Sequence, residues 1–324
     1  MKTFQDTIAL VNEALNSLPF DRQPQGLYEP IKYVLSLGGK RIRPVLMLMA
    51  YNLYKDDLQT IMPTALGIET YHNYTLLHDD LMDRAEVRRG KPCVHQKWDD
   101  NTAILSGDSM LVMAYQLMAQ AKPQHLKAVM DLFTETALEI GEGQQYDMEF
   151  EHRDDVTTDE YIEMIRLKTS VLLACALKIG AIQAEATPAD ADQLYHFGEQ
   201  LGLAFQLQDD LLDVFGDFAS FGKKIGGDIL CNKKTYMLIQ ALNHATEAQR
   251  QELTQWLQAE APDPQAKIAA VTALYDAIGV KMMAEERINH FFGRALDCLD
   301  KVSLPAERKE PLRQFALSLL NRQS

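Results

Sequence analysis

The sequence is short of basic residues and of cysteines, and both shortages exclude classes of protein. Its 32 lysines and arginines against 46 aspartates and glutamates leave a formal net charge of -14. Such a charge argues against nucleic acid as the main partner, because phosphate binding favours a basic face. The four cysteines form no CxxC pair, a pattern that favours a reducing compartment over a disulfide scaffold or a zinc site.

Long apolar runs are also missing. No uninterrupted apolar stretch approaches the roughly 20 residues that a membrane span requires. The N-terminal segment MKTFQDTIALVNEALNS carries polar and acidic residues within its apolar part, which does not fit a signal peptide. We therefore expect a cytoplasmic protein without stable membrane insertion. At 47% hydrophobic residues the chain can still bury a substantial core, which excludes disorder as a description of the whole.

Apolar residues recur at helical spacing almost throughout the chain, whereas alternating strand patterns are scarce. Beyond the N-terminal patterns, helical spacing extends over residues 63–83, 98–121, 125–140, 159–179, 189–215, 235–243, 246–258, 264–278, 280–301 and 305–321. The loops that stand out are LGGKRIRP, RAEVRRGKPC, EHRDDVTT and GDFASFGKKIGGDILCNKK. No linker or shift in composition divides the chain. The sequence therefore predicts an all-α fold in a single domain over residues 1–324, with ten or more helices.

Two acidic clusters share the pattern DDxxD, namely Asp79, Asp80 and Asp83, and Asp209, Asp210 and Asp213. In each, the first and last aspartates are four positions apart, so their side chains lie on one helical face. Negative charge at the C-terminal end of a helix also opposes the helix dipole, so both placements are unfavourable without a cation. Magnesium is commonly held by one or two carboxylates together with substrate phosphates. Two such clusters facing each other would clamp a diphosphate, whereas two solvated helix ends are the plain alternative.

The positive charge that the chain does have is concentrated in short segments. GKRIRP contains Lys40, Arg41 and Arg43, and the pair Arg88 and Arg89 follows the first acidic cluster. Either segment taken alone would fit a solvated turn. The two glycines before Lys40 favour a close approach of the backbone to a ligand.

The ordered set of segments resembles the trans-isoprenyl diphosphate synthases, the polyprenyl synthetase family. GGKRIRP, HNYTLLHDDLMDRAEVRRGKP, NTAILSGD, GEGQQYDM, LKTS, FQLQDDLLD, GKKIGGD and NKKTY occur in the family order between about Tyr28 and Tyr236. The resemblance implies an all-helical fold around a central cavity, usually assembled as a homodimer. It also implies a reaction in which an allylic diphosphate ionises, isopentenyl diphosphate attacks the carbocation and a proton is lost.

The resemblance further implies roles for individual residues. The magnesium ligands would be Asp79 and Asp83, with Asp80 in support, and Asp209, with Asp210 and Asp213 nearby. Arg88 would hold the allylic diphosphate, and Lys223 and Lys233 would help it leave. The pocket for isopentenyl diphosphate would contain Lys40, Arg43, His72 and Arg89. A lysine, a hydroxyl and an amide oxygen would stabilise the carbocation, namely Lys168, Thr169 and Gln206. Arg322 is a weaker candidate for the diphosphate pocket.

The length of the product is expected to depend on residues before the first acidic cluster. In the resembled family such residues form the floor beneath the growing prenyl tail. Tyr74 and Thr75 lie one helical turn before Asp79, and Tyr71 lies one turn further. A tyrosine at position 74 should block the cavity early and favour a fifteen- or twenty-carbon product. The first cluster lacks the two-residue insertion typical of many bacterial farnesyl synthases, so the sequence does not favour a strict fifteen-carbon product.

Three other interpretations compete with this one. The segments ETYH, from Glu69 to His72, and EFEH, from Glu149 to His152, satisfy the Glu-x-x-His spacing of a di-iron carboxylate bundle. That site would leave both DDxxD clusters without a role. A terpene cyclase usually replaces the second DDxxD and needs no isopentenyl diphosphate pocket. A non-catalytic subunit of a two-component synthase typically lacks one aspartate cluster.

Overall fold

A computed structural model describes residues 3–216 and 225–320, so Lys223 and Arg322 lie outside the described residues. These residues form mainly α-helices, and the predicted all-α class is confirmed. The longer helices are α1 (Phe4–Asn16), α2 (Gln25–Ser36), α3 (Ile42–Asn52), α4 (Met62–Met82), α6 (Asp100–Met118), α7 (Pro123–Phe150), α8 (Thr158–Ile165), α9 (Val171–Gln183), α10 (Pro188–Phe215), α12 (Tyr236–His244), α13 (Glu247–Gln258), α14 (Pro264–Ile278), α15 (Val280–Lys301) and α16 (Ala306–Leu320). Short helices are α5 (Val94–Lys97), α11 (Gly227–Leu230) and a 3-10 turn at Leu58–Thr60.

A small hairpin interrupts the helices inside the segment that the sequence predicts as the loop RAEVRRGKPC. Its strands are β1 (Val87–Arg88) and β2 (Lys91–Pro92), paired antiparallel with Arg88 opposite Lys91. The two connecting residues, Arg89 and Gly90, both have positive φ, at 52° and 74°. Positive φ at both positions is the requirement of the two-residue turn that matches strand twist.

Two predicted helices differ from the observed ones. Helix α7 continues ten residues beyond the predicted end at 140 and runs through Gly141 and Gly143 to Phe150. A glycine within a helix costs only about 1 kcal/mol relative to alanine, which packing can outweigh. The predicted helix over 159–179 is divided by a π-helical segment, Arg166–Ser170. A π-helical turn inside an α-helix is rare and often marks a functional site.

The described residues fall into two compact units. The first comprises the described residues of Met1–Thr134, Cys175–Tyr195 and Val302–Leu312, and the second those of Glu135–Ala174, His196–Lys301 and Arg313–Ser324. In the first unit, every residue of α3 from Pro44 to Asn52 is buried. The predicted single domain over residues 1–324 stays a prediction.

Two sequence expectations concern the surroundings of the protein. All four cysteines are free thiols: Cys93, Cys175, Cys231 and Cys298. Over residues 3–216 and 225–320, no helix combines the length and the apolar character needed to cross a membrane. Location in the cytoplasm stays a prediction from the sequence.

Candidate active site

The first acidic cluster lies at the end of α4 and is joined to the hairpin by an ion pair. Helix α4 ends at Met82, and Asp83 is its exposed C-cap residue. Asp80 is buried, and its two carboxylate oxygens accept hydrogen bonds from Arg88 Nε at 2.8 and 2.7 Å. A further contact of 2.7 Å joins Arg88 Nη2 to Asp80. Asp80 therefore fixes the guanidinium that the sequence assigns to the allylic diphosphate.

Two arginines and a histidine lie beside this cluster within the first unit. Arg43 Nη1 is 3.0 Å from His72 Nε2, and Arg89 donates a hydrogen bond to the carbonyl of Gly38. Gly39 has a φ of 124°, and a Cβ there would lie 2.8 Å from the guanidinium carbon of Arg89. The group that closely approaches this Gly-Gly pair in the structure is the Arg89 side chain. The approach of a ligand to this backbone stays a prediction.

The pKa values of these side chains indicate an excess of positive over negative charge around them. Burial lowers the pKa of Arg43 to about 10, with Glu69 opposing the decrease and Arg89 adding to it. Burial and the charge of Arg41 also lower the pKa of Arg89. Burial, followed by the charges of Arg43 and Arg89, lowers the pKa of His72 well below 6.5. The two arginines lower the pKa of His72, and Arg89 also lowers that of Arg43, so an anion bound among these side chains would be favoured.

The residues predicted to limit chain length pack together on α4. The ring of Tyr71, which is buried, lies 5.5 Å from the ring of Tyr74 and 5.2 Å from that of Phe133. The Tyr74 ring is also 4.9 Å from the ring of His78, and the Thr75 hydroxyl donates to the carbonyl of His72 at 2.8 Å. Burial first, then the charges of Asp108 and Asp79, raise the pKa of Tyr74.

In the second unit, the second acidic cluster occupies the last two turns of α10. Asp210 is buried and accepts hydrogen bonds from the Tyr161 hydroxyl and from Gln206 Nε2, the latter at 3.0 Å. Burial raises the pKa of Asp210 to about 7, although the bond from Tyr161 works against that increase. Gln206 Oε1 accepts from the hydroxyl of Thr169 at 3.3 Å. The structure therefore joins two of the three predicted reacting-centre residues to the acidic motif.

The other aspartates of this cluster differ in their surroundings. Asp213 is buried, and its carboxylate accepts from the backbone N–H of Asp228 at 3.0 Å. Its own carbonyl accepts from the N–H of Gly226 at 2.7 Å. Asp213 thus holds the end of the GKKIGGD segment, whereas Asp209 is half-buried.

Lys168 and Thr169 stand on the π-helical segment Arg166–Ser170. Neighbouring helices approach this segment closely at two glycines. A Cβ on Gly143 would lie 2.8 Å from the Cα of Lys168, and one on Gly202 would lie 2.7 Å from the Cα of Ser170. Larger residues at either position would displace the segment that carries the predicted catalytic side chains.

A carboxylate that the sequence analysis did not single out, Asp147, contacts one predicted lysine, Lys168, and is affected by the charge of another, Lys233. Lys168 Nζ lies 2.6 Å from Asp147 Oδ2. Burial acts to raise the pKa of Asp147, but the charges of Lys233 and Lys168 outweigh it and hold that pKa below its usual value. The only sequence signal for Asp147 was its place in the segment GEGQQYDM.

The aspartates fit a divalent cation that also binds phosphate. Among the residues that the structure describes, no three acidic, histidine or cysteine side chains already converge as a metal site. Asp79 and Asp83 nevertheless present hard oxygen donors one helical turn apart. Magnesium needs only one or two carboxylates when phosphates and waters complete its ligands.

The di-iron alternative does not fit. Glu69 is 2% exposed and binds Arg41 Nη1 at 2.7 Å, so its carboxylate is already committed to a cation. Glu149, in the other Glu-x-x-His segment, is exposed and accepts from Gln145 at 2.9 Å. Neither glutamate therefore has the surroundings of a buried iron ligand.

Comparison with known proteins identifies the family. Residues 24–275 match the family model for polyprenyl synthetases. The chain belongs to the polyprenyl synthetase family. It is 39% identical over 233 residues to a geranylgeranyl diphosphate synthase of Methanosarcina mazei, covering 71% of this chain and 72% of that protein. Membership of this family makes the protein a prenyltransferase.

Solved structures of polyprenyl synthetases share the fold. A geranylgeranyl pyrophosphate synthase superposes with a TM-score of 0.94 at 41% identity, covering 100% of both chains. The geranylgeranyl pyrophosphate synthase of Corynebacterium glutamicum, in complex with isoprenyl diphosphate and magnesium, gives a TM-score of 0.89 at 27% identity. That alignment covers 99% of this chain and 100% of the other.

Replacing Tyr161 with phenylalanine tests whether the hydrogen bond from Tyr161 to Asp210 positions Asp210 and, through it, Gln206. We expect Tyr161→Phe to lower kcat by about tenfold or more, since small displacements of positioned groups have large effects on rate. Tyr54→Phe is the control, because Tyr54 also donates to a buried aspartate, Asp190, at 3.2 Å, but in the first unit. Each variant should lose about 1 kcal/mol of stability. Equal kcat values in steady-state assays of the two variants would contradict the role of Tyr161.

Proposed function

We propose that this prenyltransferase condenses isopentenyl diphosphate with an allylic diphosphate, in a magnesium-dependent reaction, to give a fifteen- or twenty-carbon prenyl diphosphate. The observation that carries the proposal is the excess of positive charge beside the first aspartate cluster, where Arg43 and Arg89 surround a His72 that is kept neutral by burial and by their charges. An anion with several oxygens offsets that excess. The names of the similar geranylgeranyl diphosphate synthases support the same substrates.

Isopentenyl diphosphate would bind to Lys40, Arg43, His72 and Arg89. Arginine suits this role because its planar fork can donate to two phosphate oxygens at once. His72 would donate a hydrogen bond as a neutral ring, because burial and nearby arginines lower its pKa. Binding in a site that already contains the cations avoids their reorganisation, which favours the reaction.

The allylic diphosphate would be held by Arg88 and by magnesium on Asp79 and Asp83. Asp209 of the second motif has the same proposed role as a magnesium ligand. Bound magnesium would supply Lewis-acid stabilisation of the leaving oxygens. Asp80 orients Arg88, so this guanidinium would be in place before the substrate arrives. Lys233 would stabilise the negative charge that develops on the departing diphosphate. Lys223 has the same proposed role and lies outside the described residues.

The carbocation left by ionisation would be stabilised by oxygen atoms around the π-helical segment. The Thr169 hydroxyl and the Gln206 amide oxygen are already oriented by their mutual hydrogen bond. The isopentenyl double bond then attacks the allylic carbon and forms the new carbon–carbon bond. Loss of a proton to the departing diphosphate restores a neutral hydrocarbon chain, so one allylic carbon–oxygen bond is exchanged for one carbon–carbon bond.

Removing the magnesium or its ligands should abolish condensation. We expect chelation, or the variants Asp79→Asn and Asp209→Asn, to lower kcat by at least about a hundredfold, because charge on the leaving group loses its main stabilisation. Asp131→Asn is the control, because Asp131 forms only an exposed pair with Lys127. The measurement is radiolabelled isopentenyl diphosphate incorporated with each of three allylic primers. Undiminished product after thorough chelation would exclude this function.

The length of the product should respond to Tyr74. Removing its ring in Tyr74→Ala opens space next to Tyr71, so chromatography of the dephosphorylated products should show chains longer than twenty carbons. Tyr74→Phe keeps the ring and should retain the wild-type products. An unchanged distribution in Tyr74→Ala would show that Tyr71, Tyr74 and Thr75 do not form the floor.

We also propose that the protein is a homodimer in which a second copy covers the exposed face of α6. Ile104, Leu105 and Val112 are apolar but 43%, 60% and 59% exposed, and they share one side of that helix. Exposed apolar side chains grouped on one helix face mark interaction surfaces more often than free surface. The family resemblance, in which homodimers are usual, supports another copy of the chain as the partner.

Charge on this face should separate the two copies. We expect Leu105→Glu combined with Val112→Glu to shift the mass measured by light scattering from dimer towards monomer, because each carboxylate would be desolvated in the interface. Met282→Glu is the control, since Met282 is 61% exposed on α15 and lies in the other unit. A wild-type protein that is monomeric at assay concentration would contradict the dimer.

A further inference from the structure

One arginine of the basic segment GKRIRP points into the interior while its neighbours do not. Lys40 is exposed and Arg43 is half-buried, whereas Arg41 is 5% exposed. Arg41 has a φ of 50°, in the left-handed region that residues other than glycine rarely adopt. The segment therefore contains two kinds of basic residue, and the role of Arg41 is not accounted for by diphosphate binding.

Arg41 is held by acceptors on three different elements. Its Nη1 lies 2.7 Å from Glu69 Oε1 on α4, its Nη2 donates to the carbonyl of Leu35 at 2.6 Å, and its Nε donates to Asn12 Oδ1 at 3.3 Å. Glu69 Oε1 also accepts from Asn73 Nδ2 at 2.9 Å. Both charged side chains of the pair are 3% exposed.

Stability alone is a weak reason for such a pair. Desolvation of two charges offsets most of their attraction, and an apolar pair of the same volume is often equally stable or more stable. What the pair does provide is a fixed geometry, because a planar guanidinium that donates to three acceptors restricts the positions open to the backbone that carries it.

The fixed geometry affects Arg43 and His72 because Arg41 and Arg43 both contact α4. Glu69 and His72 are three residues apart on α4, so their side chains are neighbours on one face. Arg41 meets Glu69, and Arg43 meets His72 with Nη1 and Nε2 3.0 Å apart. On the other side of Lys40, Arg89 donates to the carbonyl of Gly38. The backbone around Lys40 is therefore held at both ends.

We propose that Arg41 and Glu69 are positioning residues for isopentenyl diphosphate, whose buried pair fixes the basic segment on α4 so that Lys40, Arg43 and His72 meet one diphosphate. This inference rests on the proposed function of those three residues as the isopentenyl diphosphate site. Arg41 itself does not touch the substrate. The charge of Glu69 has a second effect, because it opposes the fall in the pKa of Arg43 and of Arg89 that burial causes.

The test separates positioning from stability with three variants: Arg41→Met, Glu69→Met and the double variant Arg41→Met/Glu69→Met. Each single variant leaves one buried charge without its partner and should lower Tm, whereas the double variant should recover Tm. The KM for isopentenyl diphosphate should nevertheless stay about ten- to a hundredfold above wild type in the double variant, the size expected for a displacement of about 1 Å. The KM for the allylic diphosphate should change less than about twofold.

A conservative variant covers the case in which the methionine variants do not fold. Arg41→Lys keeps the charge but cannot reach three acceptors with a planar fork, so we expect a raised KM for isopentenyl diphosphate with a smaller loss of Tm than in Arg41→Met. Lys32→Met is the control, because Lys32 and Asp21 form an exposed pair in the same unit, 61% and 98% exposed. That variant should match wild type in Tm and in both KM values.

Two results would overturn the proposal. Recovery of both Tm and the KM for isopentenyl diphosphate in the double variant would show that the pair is only structural, as would a wild-type KM in Arg41→Lys. Arg43→Ala distinguishes this failure from failure of the proposed function. If Arg43→Ala leaves the KM for isopentenyl diphosphate unchanged, the assignment of the site itself is wrong. If it raises that KM while the Arg41 variants do not, only the positioning role is excluded.

Discussion

The repulsion among closely spaced basic side chains in the first unit is the interaction on which the proposed function depends. Two of the nearby carboxylates are already paired with an arginine: Asp80 holds Arg88, and Glu69 holds Arg41. Arg43 and Arg89 are left with lowered pKa values. In a chain with a net charge of -14, this local excess of positive charge is costly without a bound anion. Binding of a diphosphate would relieve this repulsion, and the relief would add to the free energy of binding.

The two DDxxD motifs look alike in sequence, but their aspartates are not equivalent in the structure. The second aspartate of each motif is buried, with Asp80 at 5% exposure and Asp210 at 4%. Each accepts hydrogen bonds from a side chain with a proposed role, Arg88 in one case and Gln206 in the other. The exposed third aspartate of the first motif, Asp83, has no such bond to the same side chains. The second aspartate of each motif thus orients a side chain for which a role at the substrates is proposed.

The sequence predicts the helices well, because apolar spacing is a local signal, and clusters of like charge are the local signal from which the candidate site residues were predicted. It cannot predict the π-helical segment Arg166–Ser170, which depends on close approach at Gly143 and Gly202, glycines of two other helices. It also cannot separate Arg41 from its basic neighbours, because the partner Glu69 is 28 residues away in the chain. Asp147 and Tyr161 were missed for the same reason: each becomes functional only through a distant partner, Lys168 or Asp210.

The pairing of Lys168 with Asp147 resolves a difficulty in the resemblance. An ammonium group about 4 Å from a carbocation would repel it by about 4 kcal/mol at an effective dielectric constant of about 20. A carboxylate 2.6 Å from the same ammonium cancels most of that repulsion and leaves a dipole in its place. The nearby Thr169 and Gln206 then contribute oxygen dipoles without a net opposing charge. A reacting centre that contains a lysine can therefore favour a carbocation, provided that Asp147 keeps its negative charge, and Lys168 and Lys233 favour that state by lowering its pKa.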